Sequence, residues 1–474
     1  MRRRVDSASL CLLVALSGCA MPPPMQPATL SISAAYPGAS PSESHATAAD
    51  IGWRTMFGDT RLQRLIEMAL ENNRDLKLAA LNVDQVRAQY DLQGAALFPR
   101  VEANLNASRS RANAPASTAV QKQIGASITA SYELDLFGRL HAATDAALAR
   151  YLASDEGRHA VKIALVAAVA DAYYAGCLAE AQAALAGRTA DDARTSLTLL
   201  RRLRSARQTG GIEIAQAEAQ LASSEADLEA RRREVLLRRH ALKQLLGSTA
   251  SPDFLPDRSA EGSEGLALAA ASLVTRLPAG LPSDLLLRRP DLREKELALA
   301  AAQADVTAAR AALFPRISLT ASTGLASAGL QSLFKTGSGV WAFAPQITQP
   351  LFNGGQLRAE LRLAELRQST ALLEYEKAVE IAFREVADGL AGSKSFGDQI
   401  DAQKRAEQAA ERRAALSEKR YLAGVESRLD HLEAQRHLHA SRQALLDMRR
   451  AEIGNAIALY KSLGGGLLET DLAN

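Results

Sequence analysis

Hydrophobic and polar residues alternate with two different periods along this chain. From Leu62 to Leu70 the apolar residues recur every three or four positions, which predicts an amphipathic helix that ends near Pro99. Beyond Phe98 the period becomes two, which predicts two strands with one apolar face each. The apolar positions of these strands are Val101, Ala103, Leu105 and Ala107, then Ile124, Ala126, Ile128, Ala130 and Tyr132.

Two long segments without proline, rich in Ala, Leu, Glu and Arg, follow such strands. They run from Arg139 to about Arg207 and from Gln356 to about Leu422, and each predicts a helix on the order of 100 Å long. Gly210, Gly211 and Gly424 predict where the long helices end. A shorter helix is predicted after each break, from about Ile212 to Leu246 and from about Val425 to Leu463.

The same order of predicted elements occurs in both halves of the chain. Residues Ala95 to Arg100 recur letter for letter as Ala311 to Arg316, an offset of 216 residues (311 − 95). Shorter identities lie close to that offset, and the second half repeats the alternating strands. The identities are Asp75-Leu76 with Asp291-Leu292, Leu136-Phe137 with Leu351-Phe352, Glu218-Ala219-Gln220 with Glu433-Ala434-Gln435, and Leu246-Gly247 with Leu463-Gly464. We therefore predict a tandem duplication of helix, two strands, long helix and second helix.

Composition and charge narrow the class of protein. The 474 residues are 47% hydrophobic but only 4% aromatic, which is typical of alanine-rich, closely packed helices. A net charge of +3 gives no sign of a nucleic-acid partner. A P-loop, an HExxH pair, spaced cysteines and a nucleophile elbow are all missing from the sequence, so no catalytic residue, cofactor or metal is predicted. His431, His437 and His439 lack the spacing of metal ligands on one helix face.

The N-terminus has the features of a secretory signal. Three arginines precede an apolar stretch, Ala8 to Leu16, which is too short to span a membrane. The letters Leu16-Ser17-Gly18-Cys19 resemble the bacterial lipobox, which implies a lipoprotein signal peptide over 1–18 and acylation of Cys19. An ordinary signal peptide with an incidental cysteine is the alternative. Residues 19–50, rich in Pro, Ser and Ala, predict an extended, acylated tether.

The four predicted strands are similar to the strands of outer-membrane β-barrels, since each has about ten residues and one apolar face. Six phenylalanines flank or lie in them: Phe98, Phe137, Phe314, Phe334, Phe343 and Phe352. A small soluble sandwich is the alternative. Four strands cannot close a barrel in lipid, so the chain must oligomerise. A trimer, with twelve strands, is favoured over a dimer because an eight-stranded barrel is filled by side chains.

The predicted domains follow the duplication. The first repeat covers 51–247, a Pro- and Gly-containing linker covers 248–282, the second repeat covers 283–466, and a tail covers 467–474. The fold class is therefore mainly α with a membrane β-barrel portion. In the trimer, a twelve-stranded barrel would continue into a long periplasmic barrel of helices.

Several short motifs resemble the TolC-like outer-membrane efflux proteins, most closely their NodT-type, OprM-like lipoprotein branch. They are Gly52-Trp53, Phe57-Gly58-Asp59, Asn72-Asn73, the two Leu-Phe-Pro-Arg repeats, and Leu281 to Leu286 with Arg289-Pro290-Asp291. The resemblance covers 19–466. It implies a homotrimer in the outer membrane that couples to a periplasmic adaptor and an inner-membrane pump, in most cases of the RND type, and conducts small molecules passively. An exit duct for type I protein secretion and a non-conducting structural lipoprotein are the alternatives.

The same resemblance implies a periplasmic gate after the turn Arg420 to Val425. The gating aromatic, apolar and acidic positions of the family match Tyr421, Leu429 and Glu433 of this chain. The acidic position is an aspartate in a known family member and a glutamate in this chain. Leu429 and Glu433 are one helical turn apart, so both can face a lumen. The alternative is that Leu429 packs between helices and Glu433 is a solvated charge.

Two turns are candidate tips for contact with the adaptor. The second-half tip contains Gly424 and Val425. The first-half tip contains Gly210, Gly211 and the acidic Glu213, and it lacks an equivalent of Tyr421.

Overall fold

The computed structural model describes residues 50–111, 120–247, 273–274 and 289–468. The predicted signal peptide, Cys19, nearly all of the tether and most of the linker lie outside the described residues. The described helices are α1 (Trp53–Met56), α2 (Thr60–Asn72), α3 (Arg74–Ala95), α4 (Arg139–Ser205), α5 (Gly211–Leu246), α6 (Pro290–Ala311), α7 (Gln356–Leu422) and α8 (Arg428–Ser462). The strands are β1 (Arg100–Arg111), β2 (Val120–Leu134), β3 (Arg316–Ser327) and β4 (Gly339–Thr348), with a short 3-10 turn at Leu330–Ser332.

Element lengths confirm the tandem duplication. Helices α3 and α6 both have 22 residues, strands β1 and β3 both have 12, and the long helices α4 and α7 both have 67. Helices α5 and α8 differ by one residue, with 36 and 35. The two halves therefore keep the same backbone plan.

The predicted first helix is in fact two helices, because the chain is extended at Asn73. Its Oδ1 accepts hydrogen bonds from the backbone N–H groups of Asp75 and Leu76, and so caps the start of α3. Its Nδ2 donates to the carbonyl of Leu245 at 2.8 Å. Asn73 is almost completely buried, so this side chain fixes the break between α2 and α3 against the end of α5.

The chain forms two compact units, and the long helices contribute residues to both. Among the described residues, the first unit contains 91–111, 120–147 and 300–372, which include the whole sheet. The second unit contains most of the helical residues. Helix α4 is the one described helix with a stretch long and apolar enough to cross a membrane by length and composition, but half of that stretch is buried inside the structure.

The largest fully buried side chains of the second unit come from α1, α4 and α8, and the residues around α1 and α2 pack against them. Trp53 and Phe57 are fully buried, and the ring of Phe57 meets Tyr460 edge to face at 6.0 Å. Asp59 caps α2 and also accepts a 2.6 Å hydrogen bond from the hydroxyl of Tyr173. The Phe57-Gly58-Asp59 motif therefore joins the start of the fold to α4 and α8.

Cys177 packs beside this cluster as a buried free thiol. Burial raises the pKa of the Cys177 thiol to about 12, and the nearby carboxylate of Asp59 acts in the same direction. The cysteine is therefore a small packed residue and not a reactive thiolate.

The four strands form one antiparallel sheet in the order β1-β2-β3-β4. Neighbouring strands pair in continuous register without a bulge, from Arg100 opposite Ser131 to Arg316 opposite Thr348. Strands β2 and β3 come from different halves of the duplication, so the sheet joins the two repeats at its centre.

Candidate functional site

The strand register gathers the predicted apolar residues on one face of the sheet. Directly paired residues of an antiparallel sheet lie on the same face. Ala103 pairs with Ile128, which pairs with Thr323, which pairs with Trp341. Further pairs on this face are Leu105 with Ala126, Val101 with Ala130, Tyr132 with Leu319, Ala321 with Phe343, and Ile317 with Ile347. The predicted face with few polar groups is therefore continuous across all four strands.

This apolar face is exposed within the single chain. Leu105 is 87% exposed and Trp341 is 80% exposed. The opposite face has mostly polar and small residues, including Asn104, Ser127 and Thr320. Strands β1 and β4 each have one paired neighbour among the described strands, so each leaves one edge of backbone hydrogen-bonding groups open. A sheet with this pattern needs an apolar surrounding on one face and further strands at its edges.

A tight turn, the second turn (residues 423–427), joins α7 to α8 in the second unit. Gly424 has a φ of 70°, and the Val425 N–H donates to the Arg420 carbonyl at 2.9 Å, which is the hydrogen bond of a Schellman motif. Glu426 accepts hydrogen bonds from Ser417 Oγ at 2.6 Å and Arg420 Nε at 3.0 Å. Ser427 then caps α8. Charges at this turn are therefore paired.

The three predicted gate residues surround the second turn. Tyr421, in the last turn of α7, stacks on His431 with a centroid distance of 5.3 Å and nearly parallel rings. Leu429 and Glu433, on α8, are 69% and 61% exposed, and the nearest ionic partner of Glu433 is Arg413 at 3.7 Å. Leu429 is therefore not packed within its own chain.

The turn between α4 and α5, the first turn (residues 206–210), has the same backbone as the second turn. The Gln208 N–H donates to the Leu203 carbonyl at 2.9 Å, which matches the bond from Val425 to Arg420 at an offset of 217 (425 − 208). At that offset the counterpart of Gly424 is Arg207, which has a φ of 59°. The structural counterpart of the second-half tip is thus Arg207 with Gln208, and not Gly210 with Gly211 as the sequence predicted.

Gly210 and Gly211 belong to the start of α5. Gly210 is its N-cap residue and Gly211 its first helical residue. Glu213 folds back over Gly210, because a Cβ on Gly210 would lie 2.7 Å from Glu213 Oε2. The sequence match between Glu218 and Glu433 is also out of structural register, since the N-caps Gly210 and Ser427 place Gln216 opposite Glu433.

The structural register gives Ile212 a counterpart on α8 that sequence reasoning did not identify. Ile212 is the counterpart of Leu429 at the offset of 217, and it is 74% exposed. Both residues are the second residue of their helix. The spacing from the helix start to an isolated exposed aliphatic residue was the signal that could have found Ile212.

A cavity of about 600 Å³ lies between α4, α5, α7 and α8 in the second unit. Its lining includes Asp192, Arg428, His431 and His439. Burial lowers the pKa of His439, whose Nδ1 lies 3.0 Å from Thr189 Oγ1. Burial and the neighbouring acidic residues, among them Glu418, raise the pKa of Asp192. Both shifts favour neutral forms, as expected where charge is poorly solvated.

The described residues contain no group of three or more His, Cys, Asp or Glu side chains placed to hold a metal ion. His431 and His439 line the cavity together with arginines and with Asp192, Glu411 and Glu418, but these side chains are not grouped to hold a metal ion.

An amphipathic sheet with open edges, in a chain whose duplicated long helices end in exposed turns, defines a subunit of an outer-membrane channel. The family model for outer membrane efflux proteins matches this chain twice, over residues 65–248 and 281–465. The chain belongs to the outer membrane efflux protein family, which confirms the predicted family and fold class.

Curated relatives match over almost the full length. The chain is 40% identical over 463 residues to the toluene efflux pump outer membrane protein TtgC of Pseudomonas putida, with 96% of this chain and 94% of the relative covered. It is 38% identical over 461 residues to the cation efflux system protein CusC of Escherichia coli, with 96% and 97% covered. Both relatives are named for efflux and neither for catalysis.

Solved structures show the same fold. A membrane protein from Pseudomonas aeruginosa matches with a TM-score of 0.87 and 34% identity, covering 94% of this chain and all of that protein. The open state of the MtrE outer membrane channel of Neisseria gonorrhoeae matches with a TM-score of 0.85 and 37% identity, covering 96% of this chain and all of that protein.

Proposed function

We propose that three copies of this chain form one outer-membrane channel. The observation that carries the proposal is the exposed apolar face, continuous over four strands and bounded by the open edges of β1 and β4. Open strand edges are not tolerated in lipid, so β4 of one copy would pair with β1 of the next until the sheet closes. Three copies give twelve strands, which is enough for an aqueous lumen lined by the polar face.

Acylation of Cys19 would hold the chain at the outer membrane in addition to the barrel. The support for it is the Leu-Ser-Gly-Cys motif after an apolar signal segment. Several acyl chains on a trimer would bind a membrane much more firmly than one. A Cys19→Ser variant, labelled with palmitate in cells, would lose the label, whereas a Cys177→Ser variant would retain it.

The helical part would receive its substrate from a periplasmic adaptor and an inner-membrane pump of the RND type. The names of the two relatives, one a toluene pump component and the other a cation system component, support this role. Because toluene and cations differ in chemistry, we assign the cargo of this chain only as small molecules. The pump would supply the energy, and this chain would conduct passively.

Tyr421, Leu429 and Glu433 would form the gate at the second turn. The exposure of Leu429 and Glu433 supports this, because residues that are not packed in one chain are available for rings in a trimer. Three leucines and three carboxylates in neighbouring layers would form an apolar and an anionic constriction. Tyr421 would be held in place by its stack on His431.

Single-channel conductance in planar bilayers, with the mass measured on the same preparation, tests the proposed trimeric channel and the proposed gate. We expect a trimer with discrete openings. Leu429→Ala and Glu433→Ala should each raise the open probability, whereas Leu237→Ala, also exposed but distant in sequence from both turns, should leave it unchanged. A trimer that never conducts would reject the channel. Unchanged conductance in both gate variants would reject the gate alone.

A further inference from the structure

Charged residues are sorted by sign along β1 and β2. From Ala103 to Tyr132 the sequence contains no aspartate or glutamate, and its charged residues are all cations: Arg109, Arg111 and Lys122. The acidic residues Glu102 and Glu133 lie at the other end of these strands, where α3 leads into β1 and β2 leads into α4. The end of the sheet where β1 finishes and β2 begins therefore carries only positive charge.

The strand register places the three cations on the apolar face of the sheet. Arg109 is paired with Lys122, and Arg111 is paired with Val120. Because every second residue of a strand lies on the same face, Arg109 shares the face of Leu105. On the opposite face, the residues next to the cations along the two strands are uncharged: Ser108, Ser110, Gln121 and Gln123. The positive charge thus lies on the face that would contact lipid, and not on the face that would line the lumen.

The three cations have no acidic partner in their own chain. Arg109 and Lys122 lie directly opposite each other, so their Cβ atoms are about 5 Å apart, and like charges in this position destabilise a strand pair. All three are exposed, and no carboxylate of the described residues lies within ion-pair distance of them. Glu102 and Glu133 bind other arginines instead. The arrangement therefore lacks an anion.

The distance along β2 places the cations at the level of lipid headgroups. Lys122 and Tyr132 lie ten residues apart (132 − 122) on the apolar face. At a rise of about 3.3 Å per residue and a strand tilt of about 40°, they differ in height by about 25 Å, which is the height of the apolar band of a membrane barrel. If Tyr132 marks one boundary of this band, Lys122 lies at the other.

We propose that Arg109, Arg111 and Lys122 bind the phosphate groups of an anionic lipid in the outer leaflet of the membrane. The acyl chains of this lipid would pack on the apolar face below the cations. The proposal rests on the proposed trimeric channel, because insertion into the membrane is what brings lipid to this face. Arginine binds phosphate through two parallel N–H groups, and cations beside a membrane surface attract anionic lipids. A free phosphate ion would meet the same cations but would gain nothing from the apolar face.

The test is a titration of the full-length protein, in neutral detergent, with lipid A, a glycolipid that carries two phosphate groups. Native mass spectrometry counts the bound lipid, and dephosphorylated lipid A is the control probe. We expect the phosphorylated lipid to bind more tightly. Lys122→Gln should weaken its binding roughly five-fold, and Arg109→Gln with Arg111→Gln and Lys122→Gln roughly a hundred-fold. Inorganic phosphate at the same phosphate concentration should not displace the lipid.

Two control variants separate the position of the charge from its amount. Arg316→Gln removes an exposed arginine from the polar face at the other end of the sheet, and it should leave lipid binding unchanged. The transposed variant combines Arg109→Ser, Ser110→Arg, Gln121→Lys and Lys122→Gln. It keeps the net charge but moves one directly opposed pair of cations to the polar face, because Ser110 is paired with Gln121. We expect it to bind the lipid roughly 25-fold more weakly than the wild type.

Equal binding of the phosphorylated and dephosphorylated lipids by the wild type would overturn the lipid proposal, and this comparison needs no variant. Displacement by inorganic phosphate would overturn it too, as would wild-type affinity in the triple or the transposed variant. Conductance of the same preparations separates these results from failure of the proposed function. If the trimer conducts but ignores the phosphate groups, only the lipid proposal fails. If the protein distinguishes the two lipids but never conducts, the channel fails and the lipid contact stands.

Discussion

The two halves of the chain use different side chains to reach the same backbone position. Asn73, just before α3, donates from Nδ2 to the carbonyl of Leu245 near the end of α5. Arg289, just before α6, donates from Nη1 to the carbonyl of Ser462 at the end of α8, at 3.1 Å. Leu245 and Ser462 are equivalent at the offset of 217 (462 − 245). We call these contacts the first clasp and the second clasp.

The clasps differ in charge. Asn73 is neutral and satisfies three backbone groups, those of Asp75, Leu76 and Leu245. Arg289 is a cation with a 7% exposed side chain, and it binds Asp291 at 2.5 Å and Glu385 at 2.8 Å. The duplication has thus kept a backbone contact and changed the chemistry that makes it. The second clasp should be both stronger and more sensitive to its ionic partners than the first.

The largest expected loss of local stability is that caused by Arg289→Ala. It removes a buried cation, leaves two carboxylates without their partner, and frees the Ser462 carbonyl. We expect the free energy of local opening of α6 and α8 to fall by about 3 kcal/mol. Hydrogen exchange of these two helices, measured by mass spectrometry, checks the value. Lys295→Ala on the same helix removes an exposed pair with Glu374 and should cost less than about 1 kcal/mol.

Asn73→Ala should have a smaller effect, confined to the first half. It removes the cap of α3 and the bond to Leu245, but it leaves no charge without a partner. We expect a loss of about 2 kcal/mol in the local stability of α3 and α5. The matched control is Asn72→Ala, whose amide only bonds within its own helix, to Met68. A larger loss for Asn73→Ala than for Arg289→Ala would reverse the proposed order of the clasps.

Low pH should affect the stability of the two clasps differently. Burial by itself raises the pKa of Asp291, but the hydrogen bonds and charge of Arg289 outweigh it and hold the pKa below its usual value. A carboxyl group with a lowered folded pKa stabilises the fold above its unfolded pKa, and this contribution is lost as the pH falls through the folded pKa. Below about pH 4 the second clasp should therefore weaken while the first does not.

The measurement is hydrogen exchange of α6 and α8 relative to α3 and α5 between neutral and acidic pH, corrected for the intrinsic rate. Asp291→Asn should reduce the difference, because the amide does not titrate and only the carboxylate of Glu385 remains on Arg289. The side chain of Asp291 is about half exposed, so the acid effect should be smaller than that of either alanine variant. Equal loosening of both halves in acid would place the titrating group elsewhere.

Much of the fold could be predicted because glycines and prolines in the local sequence mark where its elements begin and end. Helix α7 was predicted from Gln356 to about Leu422, and the structure has these two residues as its ends. The glycines before and after this segment, together with the absence of proline within it, fix its length without reference to other parts of the chain. The alternating pattern of β1 and β2 likewise predicted which residues share a face, and the register confirms it.

The details that the sequence did not reveal depend on distant or unusual contacts. The break at Asn73 depends on a hydrogen bond to Leu245, which is 172 residues away. An asparagine inside a helical pattern gives no sequence signal for such a distant partner. The apex of the first turn was placed at Gly210 because a glycine pair is the stronger turn signal. An arginine with positive φ has no sequence signature, so Arg207 could be found only in the structure.

The smallest expected changes in local stability are those of substitutions in the two turns. They allow a direct comparison of Gly424 with Arg207. A Cβ on Gly424 would meet no atom within 4 Å, so Gly424→Ala should cost only the backbone strain of a positive φ, about 1 kcal/mol. Arg207→Gly relieves the same strain but makes the unfolded chain more flexible, so it should stabilise the first turn by less than about 1 kcal/mol.

Local hydrogen exchange of the two turns checks both signs, with Arg207→Ala as the control that keeps the strain and removes the guanidinium. If Arg207→Ala leaves exchange unchanged, the arginine side chain does not hold its own turn together and is free to bind a partner. If Arg207→Ala and Arg207→Gly both increase exchange, the guanidinium stabilises the turn from within. The positive φ of Arg207 would then be explained by the stability of its own turn.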